Sequence, residues 1–178
     1  YAIDPVVVNI GLAGPHPPGG LDVRCCDGSL NITKFPALNS EQTTRGIDTG
    51  LNLAADAAAR FDIVGLASIG AGTNVAASAI FYIDGPAPIG AGTNVAASAV
   101  FTALSARDAS QTTPRPPSLP DAAYQRSVAA VRTALARHSA EIVTPMGIIR
   151  CLGGAEIAAM TGFLLGAAAH RLPVVVDG

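Results

Sequence analysis

The sequence predicts a three-layer α/β fold, in which a mostly parallel, Rossmann-like sheet of about five strands carries helices on both faces. Short apolar runs bounded by glycine and proline alternate with alanine-rich stretches of helical periodicity, which is the pattern of repeated strand–helix units. Hydrophobic residues make up 49% of the chain, aromatic residues only 4%, and 19 glycines are present, so small side chains are available for close helix packing. The length of 178 residues predicts a single domain over residues 1–178.

Four segments predict strands. Residues 6–10 form a continuous apolar run that ends at Gly11, which is typical of a buried parallel strand. Residues 22–26 fit a short edge strand, residues 61–67 a second buried strand, and residues 174–176 an apolar strand that ends in Asp-Gly. Because a helical pattern lies between residues 6–10 and 61–67, we expect these two strands to form a right-handed βαβ crossover.

Helical spacing over residues 41–60 predicts a helix that starts at Ser40-Glu41. Its apolar side comprises Ile47, Leu51, Ala54, Ala55 and Ala58. Asp121 is expected to cap a helix over residues 122–138, and residues 141–150 predict a turn with a helical step. An alanine-rich helix follows Gly153-Gly154, and its apolar face at residues 157–165 is either buried against the sheet or a dimer interface.

The middle of the chain carries an internal repeat with a spacing of 20 residues. Residues 69–81 read IGAGTNVAASAIF and residues 89–101 read IGAGTNVAASAVF, so the copies differ only at Ile80 and Val100. A solenoid needs several diverged repeats that stack on one another. The pattern therefore indicates a local duplication, in which one copy occupies the loop–helix position after the strand at residues 61–67 and the other is an insertion.

Composition excludes several classes of partner. The net charge of −2 and the lack of a Lys/Arg run argue against nucleic acid. No apolar stretch reaches the roughly 18–20 residues of a membrane span without glycine, proline or a charge. The three cysteines, Cys25, Cys26 and Cys151, are an odd number without metal-binding spacing, so we expect buried or loop thiols in a reducing cytoplasm, with no metal and no cofactor. The start at Tyr1 suggests a piece of a longer or processed chain.

A glycine-rich loop follows the strand at residues 61–67 and is the first candidate site. Its residues Gly70, Gly72, Thr73 and Asn74 open a helix, where glycines let a ligand approach and helix N–H groups bind an anion. In the second copy the glycines are Gly90 and Gly92. The loop is either a phosphate cradle or a turn that lets helix and strand pack closely. A dinucleotide-binding fingerprint is disfavoured, because Val75 replaces its third glycine.

The second candidate site lies near the end of the chain. Gly153 and Gly154 form a predicted helix mouth, and Asp177 follows a strand, where open α/β sheets hold ligands. Glu156 is a weak candidate for a general base. Alternatively, it is a first-turn carboxylate stabilised by the positive end of the helix dipole, or it orients the glycine loop. His138 and His170 lie near predicted helix ends and show no catalytic partner in the sequence.

The segment 151–178 resembles the nicotinate-nucleotide:dimethylbenzimidazole phosphoribosyltransferases of cobalamin lower-ligand synthesis. The family segment reads roughly Leu-Gly-Gly-x-Glu-Ile-Ala-Ala-x-x-Gly, then an alanine-rich helix, Arg-x-Pro, an apolar strand and Asp-Gly. Residues 6–14, 28–32 and 44–57 are similar to further family segments. Residues 67–75 match the family loop Gly-Glu-Met-Gly-Ile-Gly-Asn-Thr-Thr in its two core glycines, while the family's glutamate is replaced by Ser68.

The resemblance implies a glycosyltransferase that moves the phosphoribosyl group of nicotinate mononucleotide to a benzimidazole-type base. It implies small-molecule substrates, a cytoplasmic location and a possible homodimer. In the family the general base is a glutamate in a Gly-Glu-Gly-Thr-Gly segment downstream of the position of Gly178, so no catalytic residue is assigned here and we expect weak or no turnover. The alternative is a degenerate, non-catalytic relative that binds a nucleotide or a partner subunit.

Overall fold

The computed structural model describes residues 5–16, 18–67, 93–117 and 119–176. Within these ranges four short strands form two separate parallel pairs. Val8 lies opposite Leu21 in the first pair, and Val64 lies opposite Val174 in the second. The strands are β1 (Val8–Asn9), β2 (Leu21–Asp22), β3 (Val64–Leu66) and β4 (Val174–Val176). The predicted α/β class with parallel strands is therefore confirmed.

Helices account for most of the described residues. A π-helical turn, Ile149–Gly153, joins the last two helices into a nearly continuous run. The helices are α1 (Ser40–Ala58), α2 (Thr93–Ser105), α3 (Ala109–Thr112), α4 (Asp121–Arg137), α5 (Pro145–Ile148) and α6 (Gly154–Ala169).

Helix α1 begins where the sequence predicts, because residues before it satisfy its first N–H groups. The Asn39 side chain accepts a hydrogen bond from the Gln42 amide at 2.8 Å, and the Gln42 side chain accepts one from the Asn39 amide at 2.9 Å. This capping box fixes the first turn. The buried face differs from the predicted apolar side, since Leu51 is exposed while small residues face inward: Thr43, Gly46, Gly50 and Ala54.

The reason for this difference is the close packing of α1 on α6. A Cβ on Gly46 would come within 3.0 Å of the Ala158 Cβ, and one on Gly50 would collide with the Ala159 carbonyl oxygen. On the other helix, a Cβ on Gly162 would collide with the Ile47 carbonyl. Small residues on both helices let the backbones meet, which favours weak Cα–H···O contacts as well as dispersion. The α6 face at residues 157–165 was expected either to be buried against the sheet or to form a dimer interface. It packs partly on α1, Phe163 lies in one cluster with Val64 and Val174 of the β3–β4 pair, and Leu164 and Leu165 are exposed.

Strand pairing also departs from the expected crossover. Residues 6–10 and 61–67 do not pair; β1 pairs with β2, and β3 pairs with β4 more than one hundred residues later. All the helices from α2 to α6 therefore lie within the connection between β3 and β4. The apolar runs predict longer strands, but the observed strands have only two or three residues, and Val6 and Val7 are about half exposed.

The larger core lies between α2, α4, the π-helical turn and the chain before α1. Leu38, Val131, Cys151 and Leu152 are at most 1% exposed there. A smaller cluster of Ala54, Ala167 and Leu172 joins α1 and α6 to the β3–β4 pair. All three cysteines are free and buried, which confirms the prediction of buried thiols.

Two further observations concern helix ends and hydropathy. Asp121 does not cap α4 as expected; Pro120 holds the cap position, and Asp121 lies in the first turn, 2.8 Å from Arg115. The helical run Pro145–Ala169 has 25 residues, and an 18-residue window within it has a mean hydropathy of 1.5. The run is long and apolar enough to span a membrane, but half of that window is buried inside the structure. A core helix of a folded domain has the same composition, so this is weak evidence for a membrane span.

Candidate functional site

Three segments that are distant in sequence meet at the start of α6, and we call this meeting point the α6 entrance. It comprises the loop after β1 (residues 9–14), the loop at residues 25–29, and residues 153–156. A Cβ on Gly11 would lie 2.5 Å from the Ala155 Cβ and 3.3 Å from the Cys26 sulfur, so the first loop rests directly on the other two. The arrangement surrounds the positive end of a helix of 16 residues.

Gly154 makes the entrance possible by restarting the helix after the π-helical turn. Its φ of 81° and ψ of −178° lie in a region that is essentially restricted to glycine. The amide of the next residue, Ala155, donates a hydrogen bond to the Ser29 hydroxyl at 3.0 Å. A Cβ on Gly154 would stand 2.7 Å from the same hydroxyl. The second glycine of the pair is therefore required by both conformation and space.

The first loop is held by polar groups around Asn9, which is 5% exposed. The Asn9 side chain accepts a hydrogen bond from the Leu12 amide at 2.9 Å, which closes the loop on itself. Arg24 contacts Asp22 at 2.9 Å and Asp27 at 3.2 Å, and it also donates to the Gly14 carbonyl. Hydrogen bonding to Arg24 lowers the pKa of Asp22, so this carboxylate stays charged. Arg24 thus ties the β1 loop to the loop that carries Ser29.

Two adjacent thiols line the inner side of the entrance. The hydrogen bond with Cys25 lowers the pKa of Cys26, and a backbone hydrogen bond at Gly28 acts in the same direction, while burial and the charge of Glu156 raise it. The same hydrogen bond between the two thiols raises the pKa of Cys25, and burial raises it further. Cys26 is therefore the more acidic thiol of the pair. The Glu156 carboxylate lies at the entrance, since a Cβ on Gly154 would stand 3.7 Å from its Oε2.

Three of the predicted site residues lie at the α6 entrance, and the others lie outside the described residues. Gly153, Gly154 and Glu156 lie together at the entrance, where both glycines are buried and Glu156 is partly exposed. The expectation that the first helix N–H groups are free needs correction at one position, because the Ala155 amide is already bonded to Ser29. The remaining predicted site residues lie outside the described residues: Gly70, Gly72, Thr73, Asn74, Gly90, Gly92 and Asp177.

Sequence reasoning missed the supporting roles of Asn9, Arg24 and Ser29. None of these residues belongs to a motif of its own, and their roles depend on contacts across the chain; Ser29 and Ala155 are 126 positions apart. The available signal was the similarity of residues 6–14 and 28–32 to family segments, which marked the two loops without saying that they meet residues 153–156.

The helix of the second repeat copy is part of the core. In α2, Val95, Ser98 and Ala99 are buried, and the helix packs on α4 and on the π-helical turn. Thr102 continues the same face and hydrogen-bonds the Ser98 carbonyl. The first copy lies outside the described residues.

Two surface grooves lie beside α1 rather than at the α6 entrance. An open groove of about 640 Å³ follows its exposed face from Ser40 to Asn52. A smaller cleft of about 240 Å³ lies between its first turn and the segment that contains Glu141, Met146 and Arg150.

Comparison with known proteins identifies the family. A family model described as phosphoribosyltransferase matches residues 1–87 and 83–178, and its two matches overlap between the two repeat copies. The nicotinate-nucleotide–dimethylbenzimidazole phosphoribosyltransferase of Geobacter metallireducens is 32% identical over 98% of this chain. That of Roseiflexus castenholzii is 30% identical over 97%.

A solved structure supports the same relationship at the level of the fold. The crystal structure of CobT from Thermus thermophilus superposes with a TM-score of 0.75 and 25% identity over 97% of this chain and 46% of that one. The chain spans about 45% of the length of the curated relatives it matches. With the family model matching most of its length, the chain belongs to the nicotinate-nucleotide–dimethylbenzimidazole phosphoribosyltransferase family.

Proposed function

We propose that this protein binds nicotinate mononucleotide and transfers its phosphoribosyl group to a benzimidazole-type base in cobalamin synthesis. The observation that carries the proposal is the α6 entrance, where three segments similar to the family's pattern meet around one helix start. The names of the relatives supply the reaction class. In this reaction the bond from the anomeric carbon to the nicotinate nitrogen breaks, a bond to the benzimidazole nitrogen forms, and the base loses one proton.

We assign the residues at the entrance to substrate binding rather than to proton transfer. Gly153 and Gly154 bring backbone close to the phosphoribosyl group, and the positive end of α6 favours an anion there. Ser29 and Arg24 hold the loops in place. Glu156 is retained only as a weak candidate for the base that takes the proton, because its placement in the first turn is also explained by the helix dipole. Asp177, after β4, is proposed as a ligand contact.

The glycine-rich loop of the second repeat copy is proposed as the second part of the binding site. Its helix, α2, is buried against the π-helical turn that leads into the α6 entrance. Each of the two family matches includes one copy in full, the first copy within residues 1–87 and the second within residues 83–178. On this proposal Gly90 and Gly92 contact the substrate, and the copy with Gly70, Gly72, Thr73 and Asn74 is the insertion.

Several wider features belong to the same proposal. The two strand pairs are assigned to one three-layer, Rossmann-like arrangement, supported by the likeness to the Thermus thermophilus structure. A cytoplasmic location fits three free, buried cysteines. A homodimer is proposed by the resemblance, and Leu164 and Leu165, which are exposed on α6, are the residues to test for contact.

Isothermal titration of the 178-residue chain with nicotinate mononucleotide tests the binding part of the proposal. We expect a dissociation constant below about 1 mM, equivalent to roughly −4 kcal/mol. Nicotinate, which lacks the phosphoribosyl group, is the matched control and should bind much more weakly. Binding of the nucleotide no tighter than that of nicotinate contradicts the assignment.

A separate assay addresses turnover. The chain is mixed with nicotinate mononucleotide and dimethylbenzimidazole, and the release of nicotinate and formation of α-ribazole phosphate are followed by chromatography. Weak turnover that falls further in a Glu156→Gln variant would assign the proton to Glu156, whereas binding without any product would leave only the binding role.

A further inference from the structure

A second group of reactive side chains lies away from the α6 entrance, where the end of α4 meets the π-helical turn. His138 follows the last residue of α4, Glu141 lies one turn later, and Cys151 is in the π-helical turn. One ligand atom from each residue lies within 4.8 Å of the other two. His138 is 2% exposed and Cys151 is completely buried, while the Glu141 side chain is 44% exposed.

The hydrogen bonding of His138 determines which of its ring nitrogens faces the group. Nε2 lies 2.8 Å from the carbonyl oxygen of Ile32, and a carbonyl oxygen only accepts, so Nε2 carries the proton. In the neutral ring, Nδ1 is then the unprotonated nitrogen, and it faces the Glu141 carboxylate at 3.9 Å. The Nδ1 lone pair and the facing carboxylate oxygen are two ligand atoms that a single cation can accept. A histidine whose other nitrogen donates to a backbone carbonyl is also the usual form of a metal-binding histidine.

We propose that His138, Glu141 and Cys151 form a binding site for a transition-metal ion of the Zn²⁺ class. An imidazole nitrogen, a thiolate and a carboxylate are a ligand set that zinc accepts, with a water molecule completing the tetrahedron. On binding, the Cys151 thiol loses its proton to solvent, the sulfur–metal bond forms, and Zn²⁺ undergoes no change of oxidation state.

The three ligands lie beside a cation and beside a cleft that opens to solvent. Zn²⁺, the thiolate and the Glu141 carboxylate sum to zero charge, and the Arg150 guanidinium, which hydrogen-bonds the second carboxylate oxygen of Glu141, adds one positive charge beside them. Glu141 and Arg150 line the cleft of about 240 Å³ beside α1, which gives an ion a path from solvent. Metal–ligand bonds of about 2.0–2.3 Å place tetrahedral ligand atoms roughly 3.3–3.8 Å apart. His138 Nδ1 and the Glu141 carboxylate are already 3.9 Å apart, and no pair of the three ligand atoms is separated by more than 4.8 Å.

The proposed ion would connect two parts of the fold that differ in exposure to solvent. It links the exposed turn after α4 to the π-helical turn, which is buried and leads directly into α6. The proposal does not depend on the phosphoribosyltransferase reaction, because none of its ligands belongs to the α6 entrance.

Cobalt titration of the 178-residue chain tests the site, since Co²⁺ replaces Zn²⁺ and reports thiolate ligation by a charge-transfer band. We expect one equivalent of Co²⁺ to give this band together with the visible bands of a tetrahedral ion, and one equivalent of Zn²⁺ to abolish both. Cys151→Ser should remove the charge-transfer band. The double variant Cys25→Ser/Cys26→Ser is the matched control and should keep it.

Glu141→Gln provides a test that does not disturb the core, because its side chain is on the exposed turn. It should weaken Co²⁺ binding by at least about tenfold, the lower end of what loss of a supporting contact costs a metal site. Zn²⁺ should raise the thermal midpoint of the wild-type chain and leave that of Cys151→Ser unchanged. The proposal is overturned if the wild type gives no charge-transfer band, if the band is lost in the Cys25/Cys26 variant but kept in Cys151→Ser, or if Glu141→Gln binds as tightly as the wild type.

Discussion

Gly154 has a backbone conformation that other residues adopt only at considerable cost, and it adopts it at the point where the helical run is interrupted. Its φ of 81° turns the chain out of the π-helical geometry and lets α6 begin with the Ala155 amide directed at Ser29. Gly153, the neighbouring glycine, has ordinary helical angles of −78° and −48°. The pair looks symmetrical in the sequence, but only its second member is needed for the backbone conformation.

This difference predicts that alanine destabilises the protein at position 154 and has little effect at position 153. Gly154→Ala should lower the free energy of unfolding by about 1–3 kcal/mol, because the conformation is strained for alanine and its Cβ would press on Ser29. Gly153→Ala should be close to neutral, since the helix preference of alanine, up to about 1 kcal/mol, is offset by tight contact with Ile157. Urea denaturation of both variants measures this. Equal effects of the two substitutions would contradict the structure.

Predictions for single residues from sequence succeeded where a residue type has one strongly preferred structural role. Glycine at a helix start was recognised, as were the burial of the cysteines and the first turn of α1. It failed for Asp121, because the preceding Pro120 has no side-chain oxygen and Asp121 itself enters the helix and pairs with Arg115. Aspartate suits both a cap and a first turn, and only the path of the chain decides between them.

At the scale of elements, the packing of α1 on α6 is the main organising contact. The facing residues are small on both helices, so the two backbones approach more closely than side chains of ordinary size allow. Periodicity over residues 41–60 predicted the helix observed at Ser40–Ala58, and Ala54 lies on both the predicted and the observed buried face. The observed face is rotated toward glycine and threonine, so Leu51 lies at its edge. Apolar periodicity detects faces that bury large side chains, and it is insensitive to a face made of glycines.

Adding a methyl group to this contact should be strongly destabilising. Gly50→Ala and Gly162→Ala would each place a Cβ against a backbone carbonyl of the other helix, of Ala159 and Ile47 respectively. Backbone cannot rotate away as a side chain can, so we expect each variant to lose about 1–3 kcal/mol or more of unfolding free energy. Thermal or urea denaturation followed by circular dichroism measures the change.

Gly65→Ala is the matched control for these two variants. Its Cβ would meet nothing within 4 Å, so the same chemical change should be neutral or stabilising by up to about 1 kcal/mol. If Gly50→Ala and Gly162→Ala unfold at the same denaturant concentration as Gly65→Ala, the close approach of α1 and α6 is wrong.

At the scale of the whole molecule, the duplicated segment divides the match between this chain and its family into two parts. Only the copy that ends in α2 is described, and its helix is buried between α4 and the π-helical turn. The family model accordingly matches the chain in two overlapping parts, with the junction at residues 83–87 between the copies. The proposal that the second copy is in register rests on the burial of α2, because each of the two family matches contains one copy in full.

Aspartate substitutions in the two copies distinguish between them. Gly92→Asp puts a negative charge in the proposed phosphate loop and should weaken binding of nicotinate mononucleotide at least tenfold, or about 1.4 kcal/mol. Gly72→Asp is the identical change in the other copy and should alter the dissociation constant less than about twofold, below roughly 0.4 kcal/mol. Isothermal titration of both variants gives the comparison. A loss confined to Gly72→Asp would assign the site to the first copy instead.

The fold class and the family were accessible from sequence because they depend on local order: glycine loop, alanine-rich helix, apolar strand. Strand partners were not, since β3 pairs with a strand far along the chain, and residues 6–10, expected to form a βαβ crossover with residues 61–67, pair with β2 instead. The meeting of Gly11, Ser29 and Ala155 could not be predicted either, because such contacts depend on the three-dimensional arrangement of loops and leave no periodic pattern in the sequence.

The packing of α1 on α6 has a consequence for the order in which the molecule is made. Gly50 and its counterpart Gly162 are separated by more than one hundred residues, so a ribosome has released α1 long before its partner exists. Contacts at such a separation slow folding, and unpartnered surfaces favour misassembly meanwhile. During synthesis α1 therefore remains without its partner helix, and its glycine-containing surface is exposed to solvent. Because glycine has low hydrophobicity, this surface is a poor site for aggregation.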